Sequence, residues 1–219
     1  MHLISVNVSM PKPISFEGRN VLTGIFKQPV EGRLHVSRLK LEGDQQADLS
    51  VHGGPHQAVY VYPFEHYTSW QQELERDDFT FGQFGENFTV SGMLENQVCI
   101  GDVFRVGSAL FQVTQPRVPC FKLATKMGSP EFPRLFMASA KTGFYLRVME
   151  EGDVGAGDVI LQESQNSLGM TVESVFRLAY FDRANVEKLK EALCIVSLSP
   201  NWQRMFEERL EELGEKKNL

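Results

Sequence analysis

The 219-residue chain carries 22 Lys and Arg against 28 Asp and Glu, a formal charge of −6, and is 42% hydrophobic. That balance excludes a sequence-independent grip on a nucleic-acid polymer, which needs clustered cations, and suits one large folded domain or a domain with a small appendage. No apolar run reaches membrane-spanning length, the start Met1-His2-Leu3-Ile4 lacks the basic region of a secretory signal, and three cysteines without a CxxC pair fit a reducing cytoplasm.

Short runs of β-branched and aromatic residues predict strands over 2–8, 21–26, 33–36, 59–62, 103–106, 109–114, 144–149 and 159–162, most of them separated by Gly, Asp, Pro or Asn. Eight or so such strands without βαβ alternation predict a closed or nearly closed mixed β-barrel. Helices interrupt it. Pro63 opens one that carries Phe64, Tyr67, Trp70 and Leu74 at helical spacing to about Arg76; others are expected over 120–127 and 131–140. Beyond the linker Ser164-Gln165-Asn166-Ser167 the strand signals stop, and three helices are expected over 171–180, 184–193 and 199–213, the last opened by Ser199-Pro200. The division is therefore a β-rich domain, 1–165, and a three-helix subdomain, 166–219. The latter is close to neutral and has no strongly basic face, which argues against a nucleic-acid-reading helix pair.

Four segments carry candidate chemistry. In Gln115-Pro116-Arg117-Val118-Pro119-Cys120, two prolines forbid regular pairing after a strand. Arg117 favours the Cys120 thiolate, which is both a nucleophile and a soft metal ligand, although most lone cysteines are small core hydrophobes and the segment alone leaves that reading open. Cys99 and Cys194, each in apolar company, read as core residues. Lys27 ends a predicted strand, where a cation can meet an anionic ligand, although a surface lysine is the simpler account. In His52-Gly53-Gly54-Pro55-His56 the glycines let backbone approach a ligand, although a plain tight turn with a capping histidine explains the segment equally well; Gly-Gly-Pro forbids the helix that a two-histidine zinc site would need. In Gly85-Glu86-Asn87-Phe88 the Asn87 amide suits a heterocycle edge or an Asx turn equally well, and Glu86 is expected to point away and cap a turn.

In order and spacing, Asp44-Gln45-Gln46-Ala47-Asp48…His52-Gly53-Gly54, Gly85-Glu86-Asn87, Ile100-Gly101-Asp102 and Gln115 to Cys120, followed by three C-terminal helices, resemble the MOSC-domain family and its YiiM-like branch. One departure is Gln57, where many members carry a basic residue. The resemblance implies a MOSC-like β-barrel that binds the molybdenum cofactor, with Cys120 as the molybdenum ligand. Cofactor contacts would come from Lys27, His52, Gly53, Gly54, Asn87 and Arg117: the two cations for the phosphate, Asn87 and the glycine amides for the pterin, and His52 to orient the site or move protons. It implies an oxidoreductase that reduces N-hydroxylated compounds such as 6-hydroxylaminopurine, drawing electrons from an external flavoprotein reductase because the chain has no nucleotide-binding glycine signature. Two other readings remain open: a sulfur carrier with a persulfide on Cys120, lacking the pyridoxal-phosphate half that would generate the sulfur, and a non-catalytic cofactor-binding module. A homodimer is one assembly open to the chain, and no membrane partner is expected.

Overall fold

The computed structural model describes residues 1–16, 18–47 and 53–215. Among the described residues twelve strands form: β1 (His2–Val8), β2 (Lys12–Phe16), β3 (Arg19–Thr23), β4 (Gln28–Pro29), β5 (Arg33–Val36), β6 (Val59–Pro63), β7 (Phe88–Ser91), β8 (Val103–Val106), β9 (Ala109–Pro116), β10 (Phe144–Glu150), β11 (Gly152–Gly155) and β12 (Ile160–Ser164). Eight of them make one mixed sheet in the order β12-β8-β9-β10-β6-β7-β1-β4, in which only β6 and β7 run parallel; β2 with β3, and β5 with β11, make two small ribbons.

The strands do not close into the expected barrel. One edge of β1 is shared, since Asn7 and Val8 pair with β4 while His2 meets Val159 in an isolated bridge. Leu3 N–H donates to Asp158 O at 2.9 Å there, and Ile160 N–H to Met1 O at 3.0 Å, but no continuous ladder can form on an edge divided in this way. The strand expected over 21–26 stops at Thr23. Its ladder ends there because Thr23 pairs with Lys12, the first residue of β2; at the next position a Cβ on Gly24 would stand 2.5 Å from Gln45 O, so the backbones pass close.

Three helices lie within the β-rich part: α1 (Glu65–Glu73), α2 (Phe121–Met127) and α3 (Phe132–Ser139). Gly128, left-handed at φ 67°, ends α2. The C-terminal helices are α4 (Val172–Tyr180), α5 (Val186–Leu193) and α6 (Pro200–Glu212). Thr171 caps α4 by accepting from Ser174 N–H at 3.1 Å, and Asn185 caps α5 by accepting from Lys188 N–H at 3.2 Å. Ser199 sits at the start of α6 but its hydroxyl makes no capping bond; Pro200, whose missing N–H costs nothing in a first turn, supplies the start signal.

The three helices do not stand apart from the sheet. Val175, Phe176, Leu189, Trp202 and Phe206 belong to one apolar cluster with Leu3, Val61, Phe111 and Phe144 of the strands. Backbone bonds stitch the junction: Ile100 N–H to Met170 O at 3.0 Å, Val172 N–H to Val98 O at 2.8 Å and Ser199 N–H to Thr114 O at 3.2 Å. A second cluster, built of Tyr60, Tyr62, Tyr67, Trp70, Phe84, Leu123, Met127, Phe132 and Phe136, packs α1, α2 and α3 beside the sheet. Among the described residues no helix is long and apolar enough to cross a membrane.

Candidate functional site

A cleft enclosing about 640 Å³, part of it open to solvent, is lined by Thr23 to Ile25, Lys27, Gln45 to Ala47, Tyr60, Gly85, Asn87, Arg117, Val118, Cys120, Lys122 and Tyr145. It gathers four of the residues singled out from sequence: Lys27, Asn87, Arg117 and Cys120. Nothing in its described lining is acidic.

Cys120 arrives there because β9 must stop. Pro116 ends the ladder, Arg117 N–H makes one last bond to Gly143 O at 3.0 Å, and the chain then turns through Pro119. Cys120 is half-buried, extended at φ −113° and the N-cap of α2, at the helix N-terminus as expected, with the first helical residue one position later. Cys99 is buried, and burial together with Asp102 pushes its thiol up. Cys194 is exposed rather than a core residue, because it falls just after α5 on the solvent side, where its Sγ donates to Lys190 O at 3.4 Å.

Arg117 is 5% exposed. Its guanidinium lies over the rings of Tyr60, at 5.0 Å, and Phe136, at 5.2 Å, while Nη2 reaches Phe84 O at 3.5 Å. Nη1 is buried with no hydrogen-bond partner. A buried guanidinium N–H left unpaired is costly, and a ligand acceptor in the adjoining cleft would relieve it. Burial also pushes the phenols of Tyr60 and Tyr145 up, so both present neutral rings to the cleft.

Lys27 and Asn87 are placed differently from the sequence expectation. Lys27 is neither at a strand end nor on the surface: it precedes β4, is 6% exposed and pairs with buried Asp44. Burial lowers its pKa, and Asp44 partly offsets that. Asp44 also accepts from Ser9 N–H and from Asn87 Nδ2, each at 2.9 Å. Asn87 Oδ1 accepts from Tyr60 N–H at 3.1 Å, and Nδ2 reaches Asn7 O at 3.3 Å. Asn87 thus lines the cleft with its amide already engaged.

Glu86 is fully buried and turns away from the cleft, as expected. Its carboxylate accepts from Gly82 N–H at 3.0 Å, Phe84 N–H at 2.9 Å, Thr89 Oγ1 at 2.9 Å and the Tyr67 hydroxyl, holding the turn that delivers Gly85 and Asn87. Gly85 adopts φ 84°, and a Cβ there would stand 2.7 Å from Ile25 Cγ1, so both conformation and space demand glycine.

His52 lies outside the described residues, as does Asp48 of the same segment. Gly53 and Gly54, at φ 96° and 81°, are not among the residues lining the cleft. The Gly53 N–H is bound by Gln57 Oε1 at 3.1 Å, so the uncharged side chain that departs from the family pattern braces the glycine turn. Tyr60, Lys122 and Tyr145 were not anticipated. Only Lys122 carried a usable signal, as a cation two residues beyond Cys120. Among the described residues no group of three or more His, Cys, Asp or Glu is arranged to hold a metal ion; Cys120 is the one thiol in the described lining of the cleft.

Comparison with known proteins agrees with this architecture. The MOSC domain model matches residues 48–161, and the YiiM-like 3-alpha helix domain model matches residues 170–213. The chain is 41% identical to YflK of Bacillus subtilis over 211 residues, 96% of this chain and 95% of that protein. It is 35% identical to the protein YiiM of Escherichia coli, over 85% of this chain and 84% of that one. A Gibberella moniliformis protein named "Reductase" is 34% identical over 65% of this chain, which spans 26% of that longer protein. The crystal structure of YiiM from Geobacillus stearothermophilus superposes with a TM-score of 0.82 at 34% identity, covering 95% of this chain and 98% of that one.

Proposed function

Because the chain belongs to the MOSC-domain family and carries the YiiM-like three-helix domain, we propose that it is a molybdenum-cofactor-dependent oxidoreductase that reduces N-hydroxylated compounds, hydroxylaminopurine-type bases among them, to amines. MOSC domains are associated in general with molybdenum-cofactor binding. A relative that shares part of its length is named a reductase. The observation that carries the proposal is the meeting, on one cleft without a lining carboxylate, of the Cys120 thiol and the unpaired buried Arg117 Nη1.

The residues present fit such a group. Cys120 would supply the soft ligand for molybdenum, Arg117 Nη1 an anion contact, and the mutually tilted Tyr60 and Tyr145 rings aromatic surface for a pterin. When bound, the cofactor supplies the two-electron chemistry. Overall, the N–O bond breaks with uptake of two electrons and two protons, releasing the amine and water. The electrons come from an external flavoprotein reductase, and His52 is the proposed proton-moving group.

The test is molybdenum and pterin content of protein expressed in a host that makes the cofactor, wild type against Cys120→Ala, followed by turnover of an N-hydroxylated purine. Near-stoichiometric molybdenum and pterin in the wild type, with molybdenum lost or differently coordinated in the variant and turnover abolished, supports the proposal. Well-folded wild type with neither component overturns it; a sulfur mass increment on Cys120 would then establish the sulfur carrier. Stoichiometric pterin without turnover would establish a binding module.

A further inference from the structure

Two cations facing the cleft have no carboxylate partner among the described residues. Lys122, in the first turn of α2, is 8% exposed and forms no ion pair or hydrogen bond among the described residues. Arg117, 5% exposed, holds Nη1 buried with no hydrogen-bond partner, and its other neighbours are the Tyr60 and Phe136 rings, the Phe84 carbonyl, the Tyr145 hydroxyl and Cys120, none of them a carboxylate. Lys27, the third cation of the lining, spends its charge on Asp44, whose second oxygen is taken by Asn87. Desolvating an uncompensated cation is costly enough that such groups are kept where a counter-charge or ligand meets them.

We infer that Lys122 and Arg117 together hold a phosphomonoester dianion in the cleft, and that Lys27 has the structural task of neutralising Asp44. Two free positive charges match the roughly −1.5 to −2 that a phosphomonoester carries near neutrality. The two side chains divide the work, Arg117 as a planar fork with one N–H to spare and Lys122 as a point charge. This assignment rests on the proposed function for the source of the phosphate, the cofactor's own; the anion chemistry alone would equally serve free inorganic phosphate.

The test uses the full-length protein from a cofactor-making host in four forms: wild type, Lys122→Gln, Lys122→Arg and Lys27→Gln. Two quantities are read, the pterin retained per folded molecule and the affinity of cofactor-free protein for methyl phosphate and inorganic phosphate. In Lys122→Gln, retained pterin and phosphate affinity should each fall about tenfold or more, the loss expected for one charge-assisted hydrogen bond. Lys122→Arg should recover most of both. Lys27→Gln should unfold at lower denaturant concentration yet keep, in its folded fraction, a phosphate affinity within about threefold of wild type. Unchanged pterin and phosphate binding in Lys122→Gln overturns the assignment and leaves the cofactor proposal standing. So does a loss in folded Lys27→Gln as large as that in Lys122→Gln. Wild type that binds methyl phosphate through Lys122 but never retains pterin supports the anion site and overturns the cofactor as its source.

Discussion

Asn87 donates its Nδ2 to Asp44 Oδ2 at 2.9 Å, across 43 positions of sequence, and so belongs to the buried strut that also engages Lys27. Within that strut Asp44 compensates the Lys27 charge, which leaves Arg117 and Lys122 as the lining cations without a carboxylate partner among the described residues.

Removing Asp44 should therefore cost more than a surface pair would. Asp44→Ala strands the buried Lys27 ammonium and unties Asn87 and Ser9 together. A loss of about 3–5 kcal/mol is expected, the range for breaking one partner of a buried ion pair. Urea denaturation measures it, and a loss under about 1 kcal/mol would show that Lys27 is solvated on its own.

Lys126 gives the protein an unusual alkaline response. Its Nζ donates to Ile25 O at 3.1 Å and Gly82 O at 2.6 Å, and burial lowers its pKa from 10.5 to about 8. Between those values the unfolded chain binds a proton that the folded chain has released, so Lys126 contributes stability that grows as pH rises and is lost as pH falls through about 8. The buried Tyr60, Tyr62 and Tyr145 act oppositely. Raised above 10.0, they contribute stability that is lost once the unfolded phenols ionise. The wild-type urea midpoint should rise from about pH 7.5 to about pH 9.5 relative to Lys126→Met, and both proteins should weaken above about pH 10. Parallel profiles below that point would show that Lys126 does not titrate there.

Thiol reactivity should follow burial. Mass spectrometry of iodoacetamide-treated native protein at about pH 8 should find Cys194 modified readily and Cys99 protected until urea unfolds the chain. Cys99 is buried with its thiol pushed up, whereas Cys194 is exposed. Early labelling of Cys99 would mean that the junction between strands and C-terminal helices opens readily.

Truncation after residue 165 should destroy the β-rich part as well as remove the helices. Val175 and Phe176 of α4 are fully buried and share one apolar cluster with Phe111 and Phe144 of the sheet. Exposing that face leaves a large contiguous apolar patch, so the fragment should aggregate while the full chain stays in solution at the same concentration. A monomeric fragment that retains strand circular dichroism would show that the two parts fold independently.

Local physics was legible in the chain. The alternation of Ala109-Leu110-Phe111-Gln112-Val113 announces β9, and Phe64, Tyr67, Trp70 and Leu74 announce α1, because side-chain periodicity is written over neighbouring residues. The stop at Pro116 and the loop leading to Cys120 follow from a missing N–H, also a local matter. Closure of the sheet was not legible. Whether His2 meets Val159 in one bridge or in a ladder depends on how β4 divides the edge of β1, and no periodicity encodes that.

By itself, then, the sequence determined the kinds of elements, their order, the change of texture after Ser164 and the placing of Cys120 and Arg117 at the end of a Pro-interrupted strand. Only the tertiary structure decided which charges remain unspent. Lys27 and Lys122 are the same residue type in similar company along the chain. Folding brings Asp44 to the one and, among the described residues, no acid to the other. The reason is physical: electrostatic pairing acts over a few ångströms of space, and which groups become neighbours across 17 or more positions is set by packing, not by proximity in the chain.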